Sequence, residues 1–262
     1  MYAVNDNGQQ YHVQLAKGDV GRYVILPGDP GRVEVIAEFL DDAVKAAHHR
    51  EYVTYTGYLN GEKVSVTSTG IGGPSTAIAV EELIAVGADT FIRIGTAGML
   101  QDYFDLNDCI IATGSVRDEG TSRAYIPVSY PAVAHYEVVN ALAKAAKDCG
   151  KTAHIGIVQS KDAFYGEAEP ENMPTEEMLR YQYASWTRAK VLASEMESAA
   201  LFVVSSIRGV RAGCILNNRG DMRETIRVAV EGMRNLIEQD KKQPTQDVMG
   251  PLRKPTAGKQ YF

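Results

Sequence analysis

The first residue that could do chemistry is an arginine inside an apolar stretch. Arg93 lies in the run TFIRI at 90–94, which breaks at once into GTAG at 95–98. A guanidinium group cannot shed its proton, so its burial is costly unless an anion meets it. Its planar fork binds phosphate or carboxylate through two parallel hydrogen bonds. Two interpretations follow: an internal ion pair with an acidic side chain, or a site for an anionic ligand.

Two glycine-rich loops stand where a predicted strand gives way to a predicted helix. One reads GDPGR at 28–32 and the other GIGGPS at 70–75, and neither has the spacing of a P-loop or a dinucleotide fingerprint. Glycine lets a ligand approach the backbone, and a helix N-terminus offers free amides and partial positive charge. Arg32 places a full charge where the helix dipole disfavours it, which indicates an anion between the two. With Arg93 and the hydroxyl of Thr96, these loops predict one phosphate-sized site.

Two carboxylates stand close together in the sequence ASEMESAA at 193–200. They could be helix-start acids that complement the dipole. They could also accept hydrogen bonds from the vicinal hydroxyls of a sugar and stabilise an oxocarbenium-like transition state. In this second interpretation Glu195 and Glu197 bind the hydroxyls, and Met196 packs on the apolar face of the sugar. Metal binding is disfavoured, because no histidine lies near these acids at ligand spacing.

The composition indicates an ordinary globular protein. The chain has 262 residues, of which 45% are hydrophobic, and a formal net charge of −6. No basic tract stands out, so nucleic acid is not expected as a partner. No apolar stretch is long enough to span a membrane, and the polar N-terminal residues do not form a signal peptide. Three widely spaced cysteines make no metal or redox pattern, so we expect a reduced, cytoplasmic setting.

Short apolar strands alternate with helical patterns along the chain. The patterns predict strands at 23–26, 51–59, 63–68, 90–94, 108–113, 154–160, 190–193 and 212–216. They predict helices at 33–39, 75–86, 138–149, 175–188, from about 195, and at 224–242, with Ser75 or Thr76 capping the second. We therefore expect an α/β protein that forms a single domain over 1–242, with helices on both faces of a mixed sheet. A surface tail is expected at 243–262.

Five motifs together resemble those of the nucleoside phosphorylase-I family, and its uridine-cleaving members most of all. They are LPGDPGR at 26–32, HRE at 49–51, STGIGGPS at 68–75, IRIGTAG at 92–98 and SEMES at 194–198. The resemblance implies a three-layer α/β/α sandwich and a homohexamer built as a trimer of dimers. It also implies reversible phosphorolysis, in which a nucleoside and inorganic phosphate give a free base and ribose 1-phosphate. Phosphate would be a co-substrate, and no cofactor is expected.

The resemblance assigns residues to each part of the substrates. Phosphate would be bound by Gly28, Arg32, Arg93 and Thr96, together with Arg50 from a neighbouring subunit. Ribose would be bound by Glu195, Met196 and Glu197, with His12 of the neighbour at its 5′-hydroxyl. In some relatives the counterparts of Glu51, Ile71 and Ser75 frame a monovalent-cation site at the dimer interface, which is implied here only weakly.

The loop expected to bind the base departs from the family pattern. Phe164 should stack on the base, but the sequence GEAEPE at 166–171 lacks the glutamine and arginine that read the uracil edge in many relatives. Glutamate cannot donate to a carbonyl and would repel a departing uracil anion. Lys161 and Arg219 could compensate, although Lys161 could equally be a solvated surface lysine. The pair at 217–218 is Asn-Asn, without the catalytic aspartate of purine-specific relatives.

The sequence therefore predicts phosphorolysis of a pyrimidine nucleoside, with uridine as the first candidate. Three alternatives stay open: a purine or broad-specificity phosphorylase, a nucleoside hydrolase that uses water, and a nucleoside-binding protein with little turnover. The retained phosphate arginines disfavour the hydrolase, because such relatives usually lack them. Arg93 and Glu197 disfavour a silent binding protein.

Overall fold

A computed structural model describes residues 4–5, 7–218 and 220–242. The strands are β1 (Tyr23–Pro27), β2 (Asp41–His49), β3 (Tyr52–Leu59), β4 (Glu62–Thr67), β5 (Thr90–Thr96), β6 (Gly98–Met99), β7 (Cys109–Asp118), β8 (Ala132–Val133), β9 (Ala153–Lys161), β10 (Ala193–Glu195) and β11 (Arg211–Asn217). The helices are α1 (Gly31–Ala37), α2 (Gly73–Ala85), α3 (Gly120–Tyr125), α4 (Tyr136–Asp148), α5 (Phe164–Ala168), α6 (Glu176–Arg188), α7 (Ser198–Arg208) and α8 (Met222–Lys242). Arg219 and the predicted tail at 243–262 lie outside the described residues.

The strands form one mixed sheet between two layers of helices. Its strand order is β2-β3-β4-β1-β5-β11-β7-β9-β10-β6, with β8 paired to β7. Alternate residues of a strand face opposite sides of the sheet, so Val24 and Leu26 pack in an apolar cluster with α2 and α7. Tyr23 and Ile25 pack on the other side with α1, α4 and α8. The predicted α/β/α sandwich is confirmed. No helix in the described ranges is both long and apolar enough to cross a bilayer.

The sheet curls so that strands distant in the pairing order meet. β1, β4, β5 and β11 are parallel to one another, whereas β11 pairs antiparallel with β7, which is parallel to β9. β7 carries a bulge between Ala112 and Gly114, where local twist increases. β6 follows β5 in the chain and pairs with β10 at the far end of the strand order. The end of β10 therefore lies beside the end of β5, although β11, β7 and β9 separate these two strands in the pairing order.

Two predicted boundaries are wrong in ways that matter for the site. The strand expected at 190–193 is β10, which runs Ala193–Glu195, and α7 begins at Ser198 rather than near Glu195. Glu195 is therefore a strand residue, and Glu197 occupies the N-cap position of α7. The predicted cap of α2 by Ser75 or Thr76 is also wrong, because the N-cap residue is Gly72, which has no side chain. Ser75 lies inside the first turn and donates its hydroxyl hydrogen to the carbonyl of Ile71 at 3.0 Å.

Candidate active site

A pocket of about 1410 Å³ opens where the loops after β1, β4 and β5 meet the ends of β9 and β10. Two groups of polar and charged side chains are among the residues that line it. The first, the Arg93 cluster, consists of Arg93, Glu195 and Glu197. The second, the Lys161 cluster, consists of Lys161, Glu167 and Ser194. The structure thus brings Glu195 and Glu197 to an arginine that lies 102 and 104 residues earlier in the chain.

The Arg93 cluster combines both sequence interpretations of this arginine. Arg93 is only 4% exposed, its Nε donates to Glu195 Oε2 at 3.1 Å, and its Nη2 donates to Glu197 Oε2. Its Nη1 is buried and has no hydrogen-bond partner among the described residues. An orphaned donor of this kind is costly to bury. The internal ion pair therefore exists, and one edge of the guanidinium still lacks an acceptor.

Gly28 leaves the space in front of that orphaned nitrogen open. A Cβ atom on Gly28 would lie 3.7 Å from Arg93 Nη1 and 3.2 Å from the carbonyl oxygen of Gly70. The loops after β1 and β4 are joined here, because the backbone N–H of Gly70 donates to the carbonyl of Gly28 at 2.9 Å. Any side chain at position 28 would enter the gap between these loops and the arginine.

Glu195 is saturated with hydrogen bonds from within the protein. Besides Arg93, its carboxylate accepts bonds from the backbone N–H of Glu197 at 2.9 Å, from the hydroxyl of Ser198 at 2.7 Å and from the hydroxyl of Ser160. Burial by itself would raise the pKa of Glu195, but Arg93 and these hydrogen bonds outweigh it and lower the pKa. The geometry makes Glu195 the group that orients Arg93, whereas its predicted contact with ribose stays a prediction.

Glu197 is held less tightly than Glu195. Its Oε1 accepts a hydrogen bond from the backbone N–H of Gly72 at 2.6 Å, which ties the start of α2 to the start of α7. Burial raises the pKa of Glu197; Arg93 opposes this rise and the nearby charge of Glu195 adds to it. One arginine thus faces two buried carboxylates, and Glu197 is the one for which the charged form is costly.

The other residues predicted to bind phosphate and ribose fall into two groups. Gly28, Arg32, Thr96 and Met196 line the same pocket as the Arg93 cluster. The side chain of Arg32 is 28% exposed, and its Nε lies 3.8 Å from Asp29 Oδ2. The structure therefore brings these four residues together with Arg93, as the sequence motifs predicted.

His12 and Arg50 do not line the pocket of their own chain. They lie close to each other, because His49 Nδ1 is 2.9 Å from the carbonyl oxygen of His12 and Arg50 follows directly. Glu82 fixes the loop of His12 by accepting the N–H of Val13 at 2.8 Å and by contacting His12 Nδ1 at 2.6 Å. The two residues that the family resemblance places in a neighbour's site thus lie close to each other.

The Lys161 cluster is a closed ring of hydrogen bonds. Lys161 Nζ donates to Glu167 Oε1 at 3.0 Å and to Ser194 Oγ at 2.6 Å, and Ser194 Oγ donates to Glu167 Oε2 at 2.8 Å. Lys161 is 8% exposed, so its interpretation as a solvated surface lysine is wrong. Its Nζ lies 5.9 Å from the centre of the Phe164 ring, which is 55% exposed. Arg219, the other predicted base contact, lies outside the described residues.

The three residues of the weakly implied cation site also line the pocket. Glu51, Ile71 and Ser75 surround Gly70, whose hypothetical Cβ would lie 2.7 Å from Glu51 Cγ and 3.3 Å from Ser75 Oγ. Nothing more in their arrangement indicates a cation, and the site stays a prediction. Within the described residues, no group of three or more His, Cys, Asp or Glu side chains is placed to hold a metal ion.

Sequence reasoning missed several residues that complete the site. Gly72, Ser160, Ser198 and Ser194 all donate to carboxylates of the two clusters. Their types are common in loops and strands, so they carry no signal by themselves. Glu167 did carry a signal, because it stands in the loop where the family pattern fails.

Comparison with known proteins places the chain in a family. A family model described as the phosphorylase superfamily matches residues 22–223. The uridine phosphorylase of Treponema pallidum is 49% identical over 246 residues, which cover 88% of this chain and 95% of that protein. The uridine phosphorylase of Thermococcus kodakarensis is 50% identical over 212 residues, covering 80% and 76%. The guanosine phosphorylase of Halorubrum lacusprofundi is 41% identical over 215 residues, covering 82% and 84%.

The chain therefore belongs to the phosphorylase superfamily, and the resemblance predicted from its five motifs is confirmed. The match at 22–223 includes both clusters of the pocket. It begins after His12, whose role at a neighbour's site stays a prediction.

Glu195 and Glu197 should contribute differently to the free energy of unfolding. Glu195→Gln is expected to lower the free energy of unfolding near pH 7 by about 3 kcal/mol, because it breaks a buried ion pair. That stability is present above the ordinary carboxyl pKa and is lost as the pH falls through the lowered pKa of Glu195. Glu197→Gln should leave the free energy unchanged or raise it, because the cost of charging Glu197 is present above its raised pKa and is relieved as the pH falls.

Urea unfolding of both variants and the unsubstituted protein, near pH 7 and near pH 5, measures this difference. Each variant is the control for the other, since both lose one buried carboxylate charge beside Arg93. Equal destabilisation by the two substitutions would contradict the separate roles given to Glu195 and Glu197.

Proposed function

We propose that this protein is a pentosyltransferase that cleaves uridine with inorganic phosphate, releasing uracil and ribose 1-phosphate. The observation that carries the proposal is the buried, unpartnered Nη1 of Arg93, which faces an open gap beside Gly28. The relatives named uridine phosphorylase support the choice of substrate. The reaction needs no cofactor, because phosphate is itself an anionic nucleophile.

In the proposed reaction, phosphate sits between Arg93, Arg32 and the loop at Gly28, with the hydroxyl of Thr96 beside it. One phosphate oxygen forms a bond to C1′ of the ribose while the bond from C1′ to the base breaks, and both electrons of that bond leave with the base. Positioning and partial neutralisation are what phosphate needs, and guanidinium groups supply both without removing its nucleophilicity.

The sugar passes through a cation-like state during this exchange. Glu197 is placed to accept hydrogen bonds from the ribose hydroxyls and to stabilise that positive charge, since its carboxylate faces the pocket beside phosphate. Met196 would contact the apolar face of the sugar. Glu195 acts through Arg93, because its own lone pairs are already occupied by internal donors.

We also propose that the active sites are shared between subunits of a homo-oligomer, in keeping with the hexamer that the sequence predicts. In the pocket of one chain, Arg93 already faces the two carboxylates Glu195 and Glu197, and Arg32 lies beside Asp29. A phosphate dianion would leave such a site strongly negative. Arg50 and His12, which lie together and do not line the pocket of their own chain, would complete a neighbour's site and supply the missing positive charge.

A role in pyrimidine nucleoside catabolism and salvage follows from the proposed reaction, in the cytoplasmic setting that the sequence predicts. Uracil and ribose 1-phosphate are both reusable, and the reaction runs in either direction. Nucleic acid and membranes play no part in the proposal.

Release of uracil from uridine should depend on phosphate. With saturating uridine, the rate should rise with phosphate concentration to a plateau and be close to zero without phosphate. Arg93→Lys should lower kcat/KM for phosphate by about 100-fold or more, because an ammonium group cannot bond both glutamates and phosphate in the same fork. Uracil and ribose 1-phosphate are measured separately by chromatography.

Three outcomes would contradict the proposal. Uracil release that does not need phosphate would make the protein a hydrolase. Tight uridine binding without turnover would make it a binding protein. Full activity of Arg93→Lys would show that Arg93 does not bind phosphate. Arg223→Lys, at an exposed arginine that pairs with Glu38 and does not line the pocket, is the control that should change nothing.

Mixed oligomers test whether a site draws Arg50 from a neighbouring subunit. Arg50→Ala and Glu197→Gln should each inactivate the homo-oligomer. After the two are unfolded together and refolded, about a quarter of the native activity should return, because each mixed dimer regains one complete site. Lys45→Ala, on the exposed strand β2 that ends one residue before Arg50, should be active alone. Absence of any recovery in the mixed sample, with both variants assembled, would show that Arg50 does not serve its neighbour.

A further inference from the structure

The Lys161 cluster offers unused hydrogen-bonding capacity to the pocket. Lysine has three N–H donors, and two of those on Lys161 are taken by Glu167 and Ser194. Each oxygen of Glu167 accepts one bond within the ring, and a carboxylate has about four acceptor positions. A ligand at this end of the pocket therefore meets one N–H donor beside a pair of acceptors.

The position of the cluster fits contact with a nucleobase. Ser194 directly precedes Glu195 and lies two residues before Met196, so the ring sits next to the part of the pocket assigned to ribose. The exposed ring of Phe164, 5.9 Å from Lys161 Nζ, is a surface on which a planar base can stack. The charge of Glu167 is balanced by Lys161, which removes most of the repulsion that an unpaired glutamate would exert on a departing base anion.

We propose that Lys161 and Glu167 select bases that carry a ring N–H beside a carbonyl. Lys161 donates to the carbonyl oxygen and Glu167 accepts from the ring N–H. This inference rests on the proposed phosphorolysis and specifies its substrate class. Uracil satisfies the pattern in either orientation, because its N3–H has a carbonyl on each side. As the base leaves, the charge that develops on the carbonyl strengthens its bond to Lys161.

The same rule admits some purines and rejects other bases. Hypoxanthine and guanine carry N1–H beside O6, and the amino group of guanine offers a second donor to Glu167. The pocket of about 1410 Å³ has room for a purine nucleoside with phosphate. Cytosine and adenine place a bare ring nitrogen where the N–H should be, so that two lone-pair acceptors face each other. A site built to accept a hydrogen bond rejects an analogue that cannot make it.

A nucleoside panel with a matched pair of variants tests this rule. The unsubstituted protein should cleave uridine and inosine with a kcat/KM about 100-fold or more above that for cytidine and adenosine. In Glu167→Gln, the amide can donate to the bare nitrogen, so the cytidine-to-uridine ratio of kcat/KM should rise about tenfold or more. Glu169→Gln is the control, since Glu169 is exposed in the same segment and bonds to Asn172 at 3.1 Å outside the pocket.

Two results would overturn the inference: cytidine cleaved as well as uridine by the unsubstituted protein, or a cytidine-to-uridine ratio unchanged within about twofold in Glu167→Gln. Calorimetric binding of free uracil and free cytosine separates this inference from the proposed function. If no nucleoside is cleaved but uracil binds in preference to cytosine, and Glu167→Gln removes that preference, then the function is wrong and the base selection stands. If there is neither turnover nor base preference, both are wrong.

Discussion

The structure depends on one buried arginine held between two carboxylates. Removing Arg93 and two glutamates from water costs several kcal/mol for each ion, and their attraction offsets that cost only when the remaining donors and acceptors are satisfied. Glu195 meets this condition through hydroxyl and backbone donors from β9 and the start of α7. The Nη1 of Arg93 does not meet it within the described residues. Within the described residues, the Arg93 cluster is therefore satisfied except at this one nitrogen, which lies beside the gap at Gly28.

This arrangement explains why the sheet must curl. Arg93 belongs to β5, whereas Glu195 belongs to β10, and the two strands lie in halves of the sheet that run in opposite directions. Their ends come within hydrogen-bond distance because β6, which directly follows β5, pairs with β10 and so brings the two halves of the sheet together. The ion pair between Arg93 and Glu195 thus stabilises the contact between β5 and β10, and residues from both strands line the pocket. The Lys161 cluster depends on the same geometry, since Lys161 ends β9 and Ser194 lies in β10.

The features that depend on residues close together in the sequence were predicted correctly. The α/β class, the hairpin of β3 and β4, and the gathering of Gly28, Arg32, Arg93 and Thr96 around one pocket follow from periodicity, turn residues and motifs. The partners of the glutamates could not be predicted, because Ser160 and Gly72 lie far away in the chain and are ordinary residue types. The boundary at Glu195 was misplaced for a similar reason, since its helix-like surroundings conceal a three-residue strand fixed by pairing to β6 and β9.

A crystal structure of the protein with inorganic phosphate tests the role of Arg93 most directly. We expect a phosphate ion in the gap beside Gly28, with one oxygen about 2.9 Å from Arg93 Nη1 and the two glutamates still bonded to the same guanidinium. A phosphate ion bound elsewhere in the pocket would contradict this role. So would an Arg93 side chain whose Nη1 remains without an acceptor at saturating phosphate.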